Sequence, residues 1–125
     1  MSYGINKVII MGHLGRDPEL EYHSKKKTTA LISVATNKAI IDKHTGERRI
    51  ITQWHRICFF GRLAEVVSDL LYKGCHVYIE GFLSSHSWQD DEGQKHTIIR
   101  IVGQQLQLLS AAKQEKRQQN DDSQE

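Results

Sequence analysis

The chain has 125 residues, 38% of them apolar and 26% charged, with nine glycines and one proline. That length fits one domain, the apolar fraction suffices for one core, and no stretch approaches the ~18 consecutive apolar residues of a membrane span. Seventeen Lys and Arg against fifteen Asp and Glu leave a net charge of +2, which permits an anionic partner without demanding one.

Met1 to Lys7 carries one lysine and runs straight into Val8-Ile9-Ile10, unlike a secretory signal, so a cytoplasmic protein is expected. Cys58 and Cys75 make no disulfide framework and read as buried thiols. The first strand is predicted over Ile5 to Leu14, followed by a turn at Gly15-Arg16-Asp17-Pro18 and a short continuation from Glu19 to His23. After Lys25-Lys26-Lys27, a second strand spans Thr28 to Ile41, with Ala30, Ile32, Val34 and Thr36 as an inward set. A glycine-containing loop, Asp42 to Glu47, leads to a third strand from Arg48 to Gly61.

The periodicity then changes. Leu63, Val66, Val67, Leu70 and Leu71 fall on one face of a helix over Arg62 to Lys73, with Gly74 just beyond its end. Strand pattern returns from Cys75 to Trp88 and, after Asp90-Asp91-Glu92-Gly93, from Lys95 to Leu109. The order is three strands, one helix, two strands, which fits a five-stranded barrel with the helix between strands three and four. Residues 1–109 form that domain with 14 basic and 11 acidic side chains, and 110–125 read as a polar, disordered tail.

Little in the chain supports catalysis. There is no nucleophile elbow, phosphate-binding glycine loop or HExxH helix. Asp90, Asp91 and Glu92 share one turn without carboxylates from another strand, so a solvated turn is the expected role. His55 and Cys58 point to opposite faces of a strand, and the remaining histidines form no closed set at ligand spacing. No metal, cofactor or enzymatic activity is expected.

The aromatic residues carry more information. Trp54 and Phe60 share one parity of the third strand with Arg56 between them and Arg62 just after, and Trp88 closes the fourth strand. Rings alternating with guanidinium groups suit single-stranded nucleic acid: bases stack on the rings, each worth about 1–3 kcal/mol, while cations meet phosphates. The opposite parity, His55, Ile57 and Phe59, fits an interior better, because a buried unpaired guanidinium is costly. Pattern alone still leaves two readings of the Trp54 face, packed core and base platform. Lys7, Arg48, Arg49, Lys73 and the Lys25–Lys27 run are candidates to extend a phosphate track.

The stretches Asn6-Lys7-Val8-Ile9, Gly12-His13-Leu14-Gly15-Arg16-Asp17-Pro18-Glu19, Thr52-Gln53-Trp54-His55-Arg56, Phe60-Gly61-Arg62-Leu63-Ala64-Glu65, Lys73-Gly74 and Val77-Tyr78-Ile79-Glu80-Gly81 follow one another in a fixed order. Together they resemble the bacterial single-stranded DNA-binding protein family, whose homotetramers carry one OB-fold per subunit. The resemblance runs from Ile5 to Leu109 and implies an all-β OB-fold barrel that coats single-stranded DNA in replication, recombination and repair. It implies base stacking at Trp54, Phe60 and Trp88, with phosphate contacts drawn from Lys7, Arg48, Arg49, Arg56, Arg62 and Lys73. It also implies a homotetramer with His55, His76 and Tyr78 near subunit interfaces, in a cytoplasmic, nucleoid-associated protein. Ile40 stands where the family has a further tryptophan, so one fewer stacking site is expected. Relatives usually end in an acidic tip with Pro-Phe that docks replication and repair proteins. Here Asp121-Asp122-Ser123-Gln124-Glu125 offers no such anchor, as in a truncated chain or a shortened plasmid or phage version. DNA binding is therefore expected, and partner docking is not. Two related readings stay open: a dimeric OB-fold primosomal protein and an RNA-binding OB-fold protein.

Overall fold

The computed structural model describes residues 2–24 and 27–111. Lys25, Lys26, the side chain of Lys27 and most of the expected tail, 112–125, lie outside the described residues.

Among the described residues, six strands and one helix follow one another in the order β1 (Val8–Leu14), β2 (Glu19–Ser24), β3 (Lys27–Ile41), β4 (Arg48–Phe60), α1 (Arg62–Leu70), β5 (His76–Gln89) and β6 (Lys95–Leu108). The sheet order β1-β5-β6-β4-β3-β2 closes on itself because β1 also pairs with β3 through His13↔Ala35 and Leu14↔Val34. Five strands thus form a barrel, with β2 added alongside β3. The closure between β4 and β6 is the one parallel seam, through Ile57↔Ile101 and Cys58↔Val102. Among the described residues no helix is long and apolar enough to cross a membrane.

The expected placement of the helix between strands three and four needs correction. The turn through Pro18 releases the chain into an independent strand, β2, which pairs with β3 from Glu19↔Leu31 to Tyr22↔Thr28. The helix therefore follows the fourth strand in chain order. It also ends earlier than the periodicity predicts. Leu71 turns extended and its side chain drops into the core, leaving a helix of nine residues. Gly74, with φ of 89°, belongs to the turn that follows, not to the helix end. The buried positions of α1 are Ala64 and Val67, whereas Leu70 faces outward. The helix packs against β3 and β4.

The interior is built by alternation along the strands. Ile10 and Leu14 from β1, Ala30, Ile32 and Val34 from β3, Ile57 and Phe59 from β4, and Val77 and Ile79 from β5 are all buried. Thr36, the last of the expected inward set, is half-buried because the barrel is ending there. Cys75 is buried as expected, but Cys58 shares the outward parity of Trp54 and is only half-buried. Burial raises the pKa of both thiols.

Two hairpins run past the barrel. The β3–β4 pairing extends to Ile41↔Arg48, and β5–β6 to Gln89↔Lys95, with residues 84–89 and 95–99 mostly exposed. Glycines at positive φ, Gly46 and Gly93, turn the two hairpin loops. In the second loop Asp90 Oδ1 accepts the backbone N–H groups of Glu92 and Gln94 at 3.0 and 2.8 Å. Near Gly103 the last strand carries a bulge. Glu80 pairs with Gln105 and Gly81 with Gly103, so Gln104 is the extra residue.

Candidate nucleic-acid interface

The β4 ladder sets the site. Because Phe59 and Ile57 fill the barrel, their neighbours Phe60, Cys58, Arg56 and Trp54 must point outward. Trp54 is 58% and Phe60 42% exposed, far beyond what a core ring shows. Trp88, also 42% exposed, stands near the tip of β5 opposite His96 of β6. All three sequence-predicted rings therefore face solvent.

Each ring has a distinct setting. The outer edge of the Trp54 indole lies against the turn after β1, close enough that a Cβ on Gly15 would collide with its Cζ3 and come within 2.6 Å of Cη2. A shallow cleft of about 330 Å³ opens there between Gly15, Arg16, Ser33, Trp54 and Arg56. Arg16 hangs over it on long contacts, 3.5 Å to Ser33 Oγ and 3.5 Å to Glu19 Oε1. The Phe60 ring carries the Arg100 guanidinium 5.2 Å from its centroid, a cation–π arrangement. Trp88 stacks with His86 at 5.6 Å and with His96 at 5.4 Å. His96 Nε2 in turn lies 2.7 Å from Asp90 Oδ2, and this contact holds the Asp90 carboxyl below the ordinary carboxylate range.

A larger cleft of about 800 Å³ lies beside the Phe60 setting. Phe60, Cys58, Arg100, His86, Glu19 and Glu21 are among the residues that line it. It connects the outer face of the β3–β4 ladder to the Trp88 hairpin. Among the described residues no group of three or more His, Cys, Asp or Glu side chains comes together as a metal site.

The other candidate cations scatter. Arg56 is exposed on the Trp54 face, and Arg62 is exposed at the first turn of α1, two residues beyond Phe60. Arg48 and Arg49 open β4 at the far end of its hairpin on opposite faces: Arg48 shares the parity of Trp54, and Arg49 pairs with Ile40 on the other side. Lys73 is exposed in the turn after α1, where its backbone N–H donates to Asp17 Oδ1 at 2.8 Å. Lys7 lies elsewhere, with Nζ 2.9 Å from Glu80 Oε1. That pairing raises the Lys7 pKa and lowers that of Glu80, whose other partner is the Tyr78 hydroxyl at 2.8 Å.

The residues expected near subunit interfaces fall in two places. His76 and Tyr78 occupy the outer face of the β1–β5 pair, opposite His13 and Met11. His76 stacks on His13 with centroids 4.4 Å apart, and Met11 and Ile9 beside them are 56% and 57% exposed. His55 is separate, half-buried on β4 and sharing a 2.8 Å hydrogen bond with Thr36 Oγ1.

Sequence reading missed Arg100, Arg16 and His96 as neighbours of the rings. A signal for Arg100 was present: it is a single charge inside the apolar run Ile98-Ile99-Ile101-Val102. Hairpin pairing then gives it the parity of Trp88, since Ser84↔Arg100 and Trp88↔His96 are in register. Arg16 meets Trp54, and His96 meets Trp88, only through folding.

The model of the single-strand binding protein family matches residues 5–109 of the chain. Among solved structures, the chain is similar to an SSB from Plasmodium falciparum in complex with ssDNA, with 27% identity and a TM-score of 0.74. That match covers 88% of this chain and 99% of the other. It is similar as well to a deletion mutant of the single-stranded DNA binding protein from Thermus aquaticus, with 28% identity and a TM-score of 0.74. There the match covers 89% of this chain and 53% of the other, so the chain spans about half the length of that protein.

Proposed function

The chain belongs to the single-strand binding protein family and binds single-stranded DNA, and we propose that it does so without sequence preference, by stacking bases on Trp54, Phe60 and Trp88. The observation that carries this reading is the outward exposure of three large rings on a barrel whose apolar residues of the opposite parity are sealed inside. A planar ring half open to water offers a face to any base, which is why such binding tolerates sequence. Arg56 and Arg62 beside the β4 rings, Arg48 and Arg49 at the hairpin end and Lys73 by the helix neutralise phosphates. Lys7, already engaged by Glu80, contributes by exchanging that partner for a phosphate.

The protein is a non-enzymatic coat for transient single strands in replication, recombination and repair, acting in the cytoplasm at the nucleoid. It works as a homotetramer. The apolar flank of Ile9 and Met11 beside Tyr78 and His76 supports an interface on the β1–β5 face. Assembly links several modest sites into one tight binder through high effective concentration.

Both tryptophans of the chain are proposed platforms, so tryptophan-selective fluorescence reports the site. Titration with oligo-dT quenches that emission in the wild type. Trp54→Ala, Phe60→Ala and Trp88→Ala each weaken binding by about 1–3 kcal/mol per stacked base lost. Undiminished affinity in all three sinks the stacking mechanism. Competition by poly-U tests the RNA-binding alternative.

A further inference from the structure

Arg100 is a cation held beside one of the exposed rings. It extends from β6 across the parallel β4–β6 seam, so that its guanidinium covers the Phe60 ring of β4 at 5.2 Å. No carboxylate among the described residues pairs with it, and its Nε is buried without a hydrogen-bond partner. A guanidinium has five N–H donors in a rigid fork, and leaving one shielded from water and unused costs free energy unless a ligand completes it. The same side chain lines the cleft of about 800 Å³ between Phe60 and His86. His86 stacks on Trp88, so Arg100 stands where the β3–β4 aromatic face meets the β5–β6 hairpin.

We propose that Arg100 is a phosphodiester-binding residue of the single-strand track, held over Phe60 so that a base on that ring and the phosphate leading toward Trp88 are bound at one junction. This rests on the stacking reading above and deepens it. Glu19 and Glu21 line the same cleft, and Glu19 is engaged by Arg16 at 3.5 Å. Stacking on Phe60 holds the planar fork in place, which lysine would not reproduce although it keeps the charge.

The test is a salt series of oligo-dT titrations on the intact protein with Arg100→Ala, Arg100→Gln and Arg100→Lys. Thermal unfolding is recorded in parallel to verify folding. Losing one phosphate contact lowers the slope of log K against log salt by about 0.7, which amounts to about eightfold in affinity at about 50 mM salt relative to 1 M. The Ala and Gln variants are expected to show that change, and Lys to keep the slope. A methylphosphonate oligo-dT, which lacks backbone charge, is expected to bind wild type and Arg100→Ala alike. If Arg100→Ala weakens charged and neutral oligomers equally, the residue acts only on the Phe60 ring and the phosphate assignment is overturned. If Arg100→Ala matches wild type while Trp54→Ala and Phe60→Ala weaken binding, the junction is wrong and the stacking reading stands. If those ring variants also match wild type, the stacking reading itself has failed.

Discussion

Adding a methyl group at Gly15 separates the binding surface from the stability of the barrel. The Cβ of Gly15→Ala would collide with the Trp54 indole, at 2.6 Å from Cη2 and closer still at Cζ3. Carbon atoms rest at about 3.5 Å, so the ring must retreat by about 1 Å. It can do so: the indole is 58% exposed, and turning it away empties no core. The backbone of Gly15 is outside the positive-φ region, so alanine fits without strain and gains about 0.4–1 kcal/mol by restricting the unfolded chain. Stability should therefore hold or rise slightly. A misplaced platform, however, forfeits up to the ~1–3 kcal/mol of a stacked base, or roughly fivefold to 150-fold in affinity. Urea unfolding and fluorescence titration with oligo-dT measure the two quantities on one sample. The control is Gly103→Ala, whose Cβ would meet the Phe59 ring, with Cδ1 and Cζ both at 2.7 Å. Phe59 is fully buried and has nowhere to go, so that variant should lose about 1–3 kcal/mol or more by overpacking. Wild-type affinity in Gly15→Ala, or a stability loss as large as that of Gly103→Ala, would refute the reasoning.

Truncating Phe59 to alanine removes the largest fully buried side chain and should cost about 3–5 kcal/mol in denaturant unfolding, whereas Phe60→Ala next to it should cost far less. Ile40→Trp adds a ring on the β3–β4 hairpin opposite Arg49 and should tighten oligo-dT binding and enlarge the site; equal affinity and site size would count against a stacking position there. Glu80 is held below its ordinary value of 4.5 by Lys7 and Tyr78, so its contribution to stability is present above that pH and fades as acid brings the pH down through the lowered folded value. Glu80→Gln should flatten the fall of Tm on the acid side. Met11→Glu places a charge on the exposed β1–β5 flank and should lower the native mass seen by light scattering without unfolding the barrel.

The strand alternation along Arg48 to Phe60 is legible in the amino-acid order alone, because a period of two decides which residues share a face. So is the helix after it, since five apolar residues at helical spacing have no other regular use. Pattern did not separate the short Glu19–Ser24 strand from its predecessor: only pairing with β3 makes six residues a strand of their own. Nor did it foresee the early end of α1, which follows from the core accepting Leu71 in an extended conformation.

The three rings and the cations beside β4 were found from parity and resemblance, but which face of the ladder looks outward was settled by barrel closure. Closing β1 onto β3 and β4 onto β6 encloses the Ile57 and Phe59 parity and leaves Trp54 and Phe60 in water. The same closure carries Arg100 onto a ring 40 residues earlier in the chain, and the turn after β1 brings Gly15 under an indole on β4. Periodicity is a property of neighbours along the chain, so the amino-acid order dictates faces. Contact between distant segments depends on how those faces are joined in space, and that is decided only when the sheet closes.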